Sequence, residues 1–158
     1  MTGFVVFATT AAVVVCGLSA GVFFAFSTFV LDGIDRLPPA QSIGTMQAVN
    51  RAAPTPLFMV VLFAPAALGL GSSVWALTHR GEPAAPWLVA GTTVYILGVL
   101  VVTVAANVPL NDTLAALPAT AGATAWSDFF EPWMWWNHVR TLAATAAASL
   151  YAVGLVLG

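Results

Sequence analysis

The sequence contains very few charged residues, and lysine is missing altogether. Only 6% of its 158 residues are charged. A soluble globular domain carries about 25% charged residues, so that class is excluded. With a net charge of −2 the chain offers no basic patch, and we expect no nucleic-acid partner. A single cysteine, Cys16, excludes an internal disulfide and any multi-cysteine zinc or iron–sulfur site.

The sequence is instead rich in long apolar stretches, and 60% of its residues are hydrophobic. A helix needs about 20 apolar residues to cross a hydrocarbon layer of about 30 Å. Four stretches reach that length, which predicts spans at about residues 4–31, 56–78, 86–107 and 133–157. No basic residue precedes the first stretch, so we expect a retained span and not a cleaved signal peptide. The sequence predicts an all-α protein, an integral membrane antiparallel four-helix bundle. We expect residues 1–158 to form a single domain and the protein to lie in the cell membrane.

The connection between the first two spans should contain a short interfacial helix at residues 42–51. This segment places four side chains on one stripe at helical spacing, namely Ile43, Met46, Gln47 and Asn50. After the third span we expect the helix to end at Asn107, because Pro109 disfavours helical backbone in the residue before it.

Gly17 and Gly21 have GxxxG spacing within the first span. This motif lets a neighbouring helix backbone approach closely. We expect it to pack within the bundle, with homodimerisation as the alternative. The expected partners are therefore the lipid bilayer and, in the alternative, a second copy of the chain.

The few polar residues gather in three clusters at one end of the predicted bundle. These clusters are residues 46–51, 107–111 and 133–140. Polar and ionisable groups at bilayer depth are costly, so their convergence indicates a functional site. Trp133, Asn137 and Arg140 fall near one face of a helix. A guanidinium and an amide in an apolar pocket can hold an oxyanion, and a tryptophan face can hold a flat ring.

Other polar side chains extend this candidate site. The third span points Tyr95, Thr103 and Asn107 along one face. His138 exchanges a proton near neutral pH, and it is interpreted equally well as a catalytic base or as a satisfied interfacial histidine. Asp128 and Glu131 are either solvated or alternative bases. No metal site is predicted, since His138 lacks partners at ligand spacing.

Four motifs together resemble one known family. They are Ala20–Ser27, Met46–Asn50, Asn107–Asn111 and Trp133–Thr141, and the likeness covers nearly the whole chain. The sequence is similar to the DUF1772 family, small four-span membrane proteins that include the anthrone oxygenases of polyketide pathways. The resemblance implies a membrane-embedded oxygenase of secondary metabolism. Such an enzyme oxidises an electron-rich polycyclic phenol to a quinone with O2 and without an organic cofactor or metal.

This implied chemistry suggests roles for the clustered residues. A deprotonated anthrone can pass an electron to O2 directly, so the protein need supply only a base, anion stabilisation and an apolar slot. We assign His138 as the base and Arg140, Asn137 and Asn50 as stabilisers of the anion. The substrate-binding set is Asn107, Asn111, Trp133, Trp136, Tyr95 and Gln47.

Two functions of other classes stay open from the sequence. One is a membrane redox protein that depends on haem or a single metal ion, with His138 as an axial ligand. The other is a non-enzymatic membrane module that docks a partner through its tryptophan-rich end.

Overall fold

A computed structural model of the protein describes residues 1–118 and 120–158. These residues are 87% helical and form five helices and no strand. The helices are α1 (Gly3–Asp35), α2 (Pro39–Ala52), α3 (Pro56–Thr78), α4 (Ala85–Ala115) and α5 (Ala123–Leu157). All except α2 are long and apolar enough to cross a membrane. The predicted all-α architecture with four spans is confirmed.

The four long helices form an antiparallel bundle. Both α1 and α4 pack against α3 and α5. The amino group of Met1 lies 3.5 Å from the carbonyl oxygen of Gly158, so α1 begins at the end of the bundle where α5 ends. The short connection from α3 to α4 lies at that same end, and α2 therefore lies at the opposite end, with the polar clusters.

Most of the apolar surface of the long helices faces outward. In each long helix, no more than 28% of the most hydrophobic stretch of 18 residues is buried within the protein. Large side chains such as Phe4, Leu57 and Leu142 are exposed. Apolar surface of this extent along four helices of spanning length is typical of helices that face lipid. The chain is therefore a multi-pass membrane protein.

The buried side chains form two separate cores. One lies among the four spans and includes Leu88, Tyr95 and Tyr151. The other lies at the end that carries the polar clusters, and its buried members are Leu31, Ile34, Ile43, Met46, Leu114, Trp126, Phe129, Trp133 and Met134. This terminal core explains why α4 and α5 extend past the predicted spans. Leu114 and Trp126 gain a buried environment there, so their helices continue beyond the hydrophobic stretches.

The expectation that the third span ends at Asn107 is wrong. The residues Thr103–Asn107 are π-helical, and the Val108 N–H bonds to the Thr103 carbonyl across this wider turn. Pro109 then falls in the first turn of the following α-helical segment, where a missing N–H is tolerated. The helix consequently runs on to Ala115.

The predicted interfacial helix is observed, with slightly wider bounds than residues 42–51. The side chains of Ile43 and Met46, on the inner face of α2, are buried. Gln47 Nε2 donates to the carbonyl oxygens of Leu114 and Leu117, at 2.9 and 3.2 Å. These bonds satisfy carbonyls at the end of α4, where a helix lacks its own donors. Gln47 therefore joins α2 to α4.

The expectation that Gly17 and Gly21 pack within the bundle is wrong. Both residues are exposed, and a methyl group built at either position meets no atom within 4 Å. Close helix contact occurs instead at Gly98, where an added methyl would overlap the side chain of Ala143. The GxxxG face of α1 points away from the other helices because the buried stripe of α1 runs through Ala12, Cys16 and Ser19.

Candidate active site

Asn137 is fully buried in α5 and connects this helix to α1. Its amide nitrogen donates to the Phe23 carbonyl oxygen at 2.8 Å and to Ser27 Oγ at 2.7 Å. Because a carbonyl can only accept, the amide nitrogen must face α1, and Asn137 Oδ1 then faces the other way. There it accepts from Arg140 Nη2 at 2.8 Å. Asn137 thereby fixes the position of the guanidinium.

A local widening of α1 contains Ser27, one of the two residues of α1 that hold Asn137. The residues Phe26–Val30 form a π-helical segment, and such segments occur often at functional sites. Ser27 lies in this segment, 3.0 Å from Thr141 Oγ1. The Thr141 hydroxyl donates to the Asn137 carbonyl at 2.9 Å, so it accepts from Ser27. Ser27 is then free to accept from the Asn137 amide, and every donor in this chain has a partner.

Arg140 is a buried cation whose hydrogen-bond partners are neutral. Its side chain is 7% exposed, and besides Asn137 it donates weakly to Thr103 Oγ1 at 3.4 Å. The guanidinium carbon lies 4.6 Å from the centre of the Phe23 ring and 5.3 Å from that of Trp133. Arg140 Nε has no partner among the described residues. Burying a charge without full compensation is costly, so an anionic acceptor at Nε would stabilise this arrangement.

Asn107 and Asn111 approach Trp133 from α4. Asn107 Nδ2 donates to the Trp133 carbonyl oxygen at 3.4 Å, and the Trp133 indole N–H donates to Asn111 Oδ1 at 2.9 Å. Asn107 is 1% exposed, and within residues 1–118 and 120–158 its Oδ1 has no partner. The structure thus brings Asn107, Asn111, Trp133, Asn137 and Arg140 together, and among their fully buried atoms Arg140 Nε and Asn107 Oδ1 have no partner in the described residues.

Trp136, Tyr95 and Gln47 lie apart from this group. Trp136 is 37% exposed, and the rings that approach Trp133 are those of Phe26 and Phe129, at 5.8 and 6.2 Å between centres. The Tyr95 hydroxyl bonds with Ser19 and the Leu62 carbonyl in the core of the bundle. Gln47 bonds to the end of α4. Their predicted part in substrate binding stays a prediction.

The remaining residues assigned from the sequence are exposed or only half-buried. His138 is half-buried and follows Asn137, which places it about 200° around α5 from Arg140. Asp128 and Glu131 are exposed. Asn50 is half-buried at the end of α2, and its amide nitrogen has no partner in the described part of the chain. In that same part, no three His, Cys, Asp or Glu side chains lie close enough to hold a metal ion.

Three residues of the site were not assigned roles from the sequence. Ser27 and Thr103 are hydroxyl residues in apolar helices. Such residues are only a weak signal of a functional site, because their hydroxyls usually bond to their own helix. Phe23 contributes a backbone carbonyl and a ring face, for which the sequence holds no signal. Ser27 and Thr103 lie in the π-helical segments of α1 and α4, and Phe23 lies in the α-helical turn just before the segment of α1.

The sequence profile described as Anthrone oxygenase matches residues 55–150. This range is more than half of the chain and includes Asn107, Asn111, Trp133, Asn137 and Arg140. The chain belongs to the anthrone oxygenase family. No curated protein and no solved structure matches it. Membership of the anthrone oxygenase family confirms the resemblance found in the sequence, and it associates the buried arginine with a family of oxygenases.

Proposed function

We propose that the protein is a membrane-embedded monooxygenase of the cell membrane that oxidises an anthrone-like polycyclic phenol to a quinone with O2. The observation that supports this most directly is Arg140, a buried guanidinium with neutral partners and an unsatisfied Nε donor. A phenolate or enolate oxygen is the kind of acceptor that this donor lacks. The anthrone oxygenase family supplies the expected class of reaction.

The reaction balances without an added reductant. Anthrone carries a CH2 group between two aromatic rings, and loss of one proton gives an anion spread over all three rings. The anion transfers one electron to O2, and the resulting radical and superoxide combine to a peroxide, which takes up a proton. Loss of water from the C–H hydroperoxide forms the new carbonyl. One oxygen atom of O2 enters the quinone and the other leaves as water, so O2 is the co-substrate and we propose no further cofactor.

The site has groups suited to stabilising the anion. Arg140 Nε would donate to the oxyanion, and Asn107 Oδ1 would accept from a neighbouring hydroxyl of the substrate. The rings of Phe23 and Trp133 on the guanidinium provide apolar faces for the substrate ring system. Donors that are already fixed in place stabilise a developing negative charge without reorganising. Asn137 supplies that fixation through its three hydrogen bonds.

We retain His138 as the proposed base. It is half-buried and lies one turn before Thr141, whose hydroxyl bonds to Ser27 in the π-helical segment of α1. A substrate that extends from Arg140 past Ser27 would bring its CH2 group towards His138. The imidazole would take up the proton and return it to the peroxide.

The test is oxidation of anthrone by the purified protein in lipid nanodiscs, followed by O2 uptake and by formation of anthraquinone. Arg140→Met removes the guanidinium while retaining similar length, and Arg80→Met makes the same change at an exposed position of the opposite end. We expect wild type and Arg80→Met to oxidise anthrone, and Arg140→Met to fall to the rate of empty nanodiscs. A wild-type protein no faster than empty nanodiscs, or full activity in Arg140→Met, would contradict the proposal.

A further inference from the structure

A cavity lies between the end of α4 and the start of α5, outside the site around Arg140. Its volume is about 140 Å³, and it is lined by Leu110, Thr113, Leu114, Leu117, Ala125, Asp128 and Phe129. An apolar cavity of roughly 150 Å³ accommodates one benzene ring. The cavity is therefore large enough for a single ring of a planar aromatic molecule, with the exposed Asp128 at its rim.

The cavity and Arg140 lie in line along two helices. On α5 the order from the outer end inward is Phe129, Trp133 and Arg140. On α4 it is Leu114, Asn111 and Thr103, of which Thr103 contacts Arg140 and Asn111 contacts Trp133. Since both helices present the same order, Trp133 and Asn111 lie between the cavity and the guanidinium.

Trp133 is the side chain in contact with both the cavity wall and Arg140. Its ring centre lies 6.2 Å from that of Phe129, which lines the cavity, and 5.3 Å from the guanidinium carbon of Arg140. Helical side chains lean towards the helix N-terminus, so Arg140 reaches up towards the level of Trp133. The bond from the indole N–H to Asn111 Oδ1 holds the ring in this position.

We propose that this cavity is a vestibule that binds the leading ring of a planar aromatic phenol, and that Trp133 gates its passage to Arg140. A ring held in the cavity lies against Phe129, whose ring neighbours that of Trp133, so it can pass towards Arg140 only when the indole moves. Breaking the bond to Asn111 lets the indole swing aside. This inference rests on the proposed function, since it takes the ligand of the Arg140 site to be an aromatic phenol.

Gln47 connects the helix α2 to the wall of the cavity. It bonds to the carbonyls of Leu114 and Leu117, both of which line the cavity. The interfacial helix α2 therefore holds one wall of the vestibule in position. A substrate-binding part was predicted for Gln47, and the vestibule gives it that part indirectly, as a positioning residue.

The test measures how fast 2-naphthol binds to the protein in nanodiscs, using stopped-flow quenching of tryptophan fluorescence. Ala125→Phe fills the cavity. Ala123→Phe adds the same ring two residues earlier on α5, at an exposed position outside the cavity lining. We expect Ala125→Phe to slow association by about tenfold or more, and Ala123→Phe to associate at the wild-type rate. Asn111→Leu, which removes the acceptor for Trp133, should speed both association and dissociation.

These rates separate the vestibule from the proposed reaction. If wild type binds 2-naphthol with the expected order of rates and yet fails to oxidise anthrone, the vestibule stands and the proposed reaction falls. If wild type oxidises anthrone and Ala125→Phe retains the wild-type association rate and kcat/KM, the vestibule is overturned alone. Should Ala125→Phe fail to fold, unchanged rates in Asn111→Leu would overturn the gate.

Discussion

Replacing Arg140 with lysine should lower the oxidation of anthrone although the positive charge is kept. In the structure the guanidinium uses Nη2 for Asn137 and Nη1 for Thr103, which leaves Nε for the substrate. A lysine has a single nitrogen at the end of its chain. Its three N–H donors all radiate from this one atom, so it lacks the planar fork whose separate nitrogens serve Asn137 and the substrate oxyanion with fixed geometry.

The size of the effect follows from the one bond that is lost. A hydrogen bond to a charged group contributes about 1.5 to 3 kcal/mol. Since about 1.4 kcal/mol corresponds to a tenfold change in rate, kcat/KM for anthrone should fall by about 10- to 150-fold. The contacts with Phe23 and Trp133 should weaken less, because an ammonium also interacts with ring faces.

The assay is the steady-state rate of anthraquinone formation in nanodiscs, with Arg80→Lys as the control for a lost guanidinium elsewhere. Thermal unfolding of both variants should remain close to wild type. If Arg140→Lys folds normally and oxidises anthrone at the wild-type rate, the guanidinium geometry is irrelevant to turnover, and Arg140 is a cationic anchor of the helix.

Three further predictions follow from other parts of the structure. His138→Gln should lower anthrone turnover by about 100-fold or more, the usual contribution of a catalytic base, while leaving 2-naphthol binding nearly unchanged, and wild-type turnover in this variant would assign the base elsewhere. Gly98→Ala should destabilise the protein by about 1 to 3 kcal/mol in thermal unfolding, because the added methyl group meets Ala143. In the control Gly17→Ala the methyl group meets no atom, so this variant should be neutral or stabilised by up to about 1 kcal/mol. Cysteines at Asp112 and Arg80, in a Cys16→Ala background, should label from opposite sides of the membrane, and labelling from one side would contradict the bundle.

Hydropathy was sufficient to predict the four spans, because apolar length alone decides whether a helix can cross a bilayer. The bounds of α4 and α5 were missed at the end that carries the polar clusters. There the helices continue past the hydrophobic stretches and are stabilised by a second core around Leu114, Trp126 and Phe129. Such a core depends on tertiary contacts, for which local hydropathy carries no signal. The π-helical turn before Pro109 likewise has no clear signature in the sequence.

The sequence predicted the convergence of polar clusters, and the structure unites five of the residues chosen. The spacing of Trp133, Asn137 and Arg140 was enough to predict that these three side chains lie together, since a regular α-helix places them on one face. Tyr95 was assigned to the same site through a similar argument. It lies about two turns deeper than Thr103, however, and bonds within the bundle core. Spacing gives the face of a helix, whereas the partner of each side chain depends on the neighbouring helices.

The central claim is that this protein uses O2 directly to convert an anthrone into a quinone, and isotope labelling tests it most directly. Wild type in nanodiscs would oxidise anthrone under 18O2, and mass spectrometry would follow the new carbonyl of the anthraquinone. The account predicts one 18O atom in each quinone and the other in water, with Arg140→Met forming no more labelled product than empty nanodiscs. Unlabelled anthraquinone formed by the wild-type protein at an accelerated rate would contradict it, because the new oxygen would then come from water.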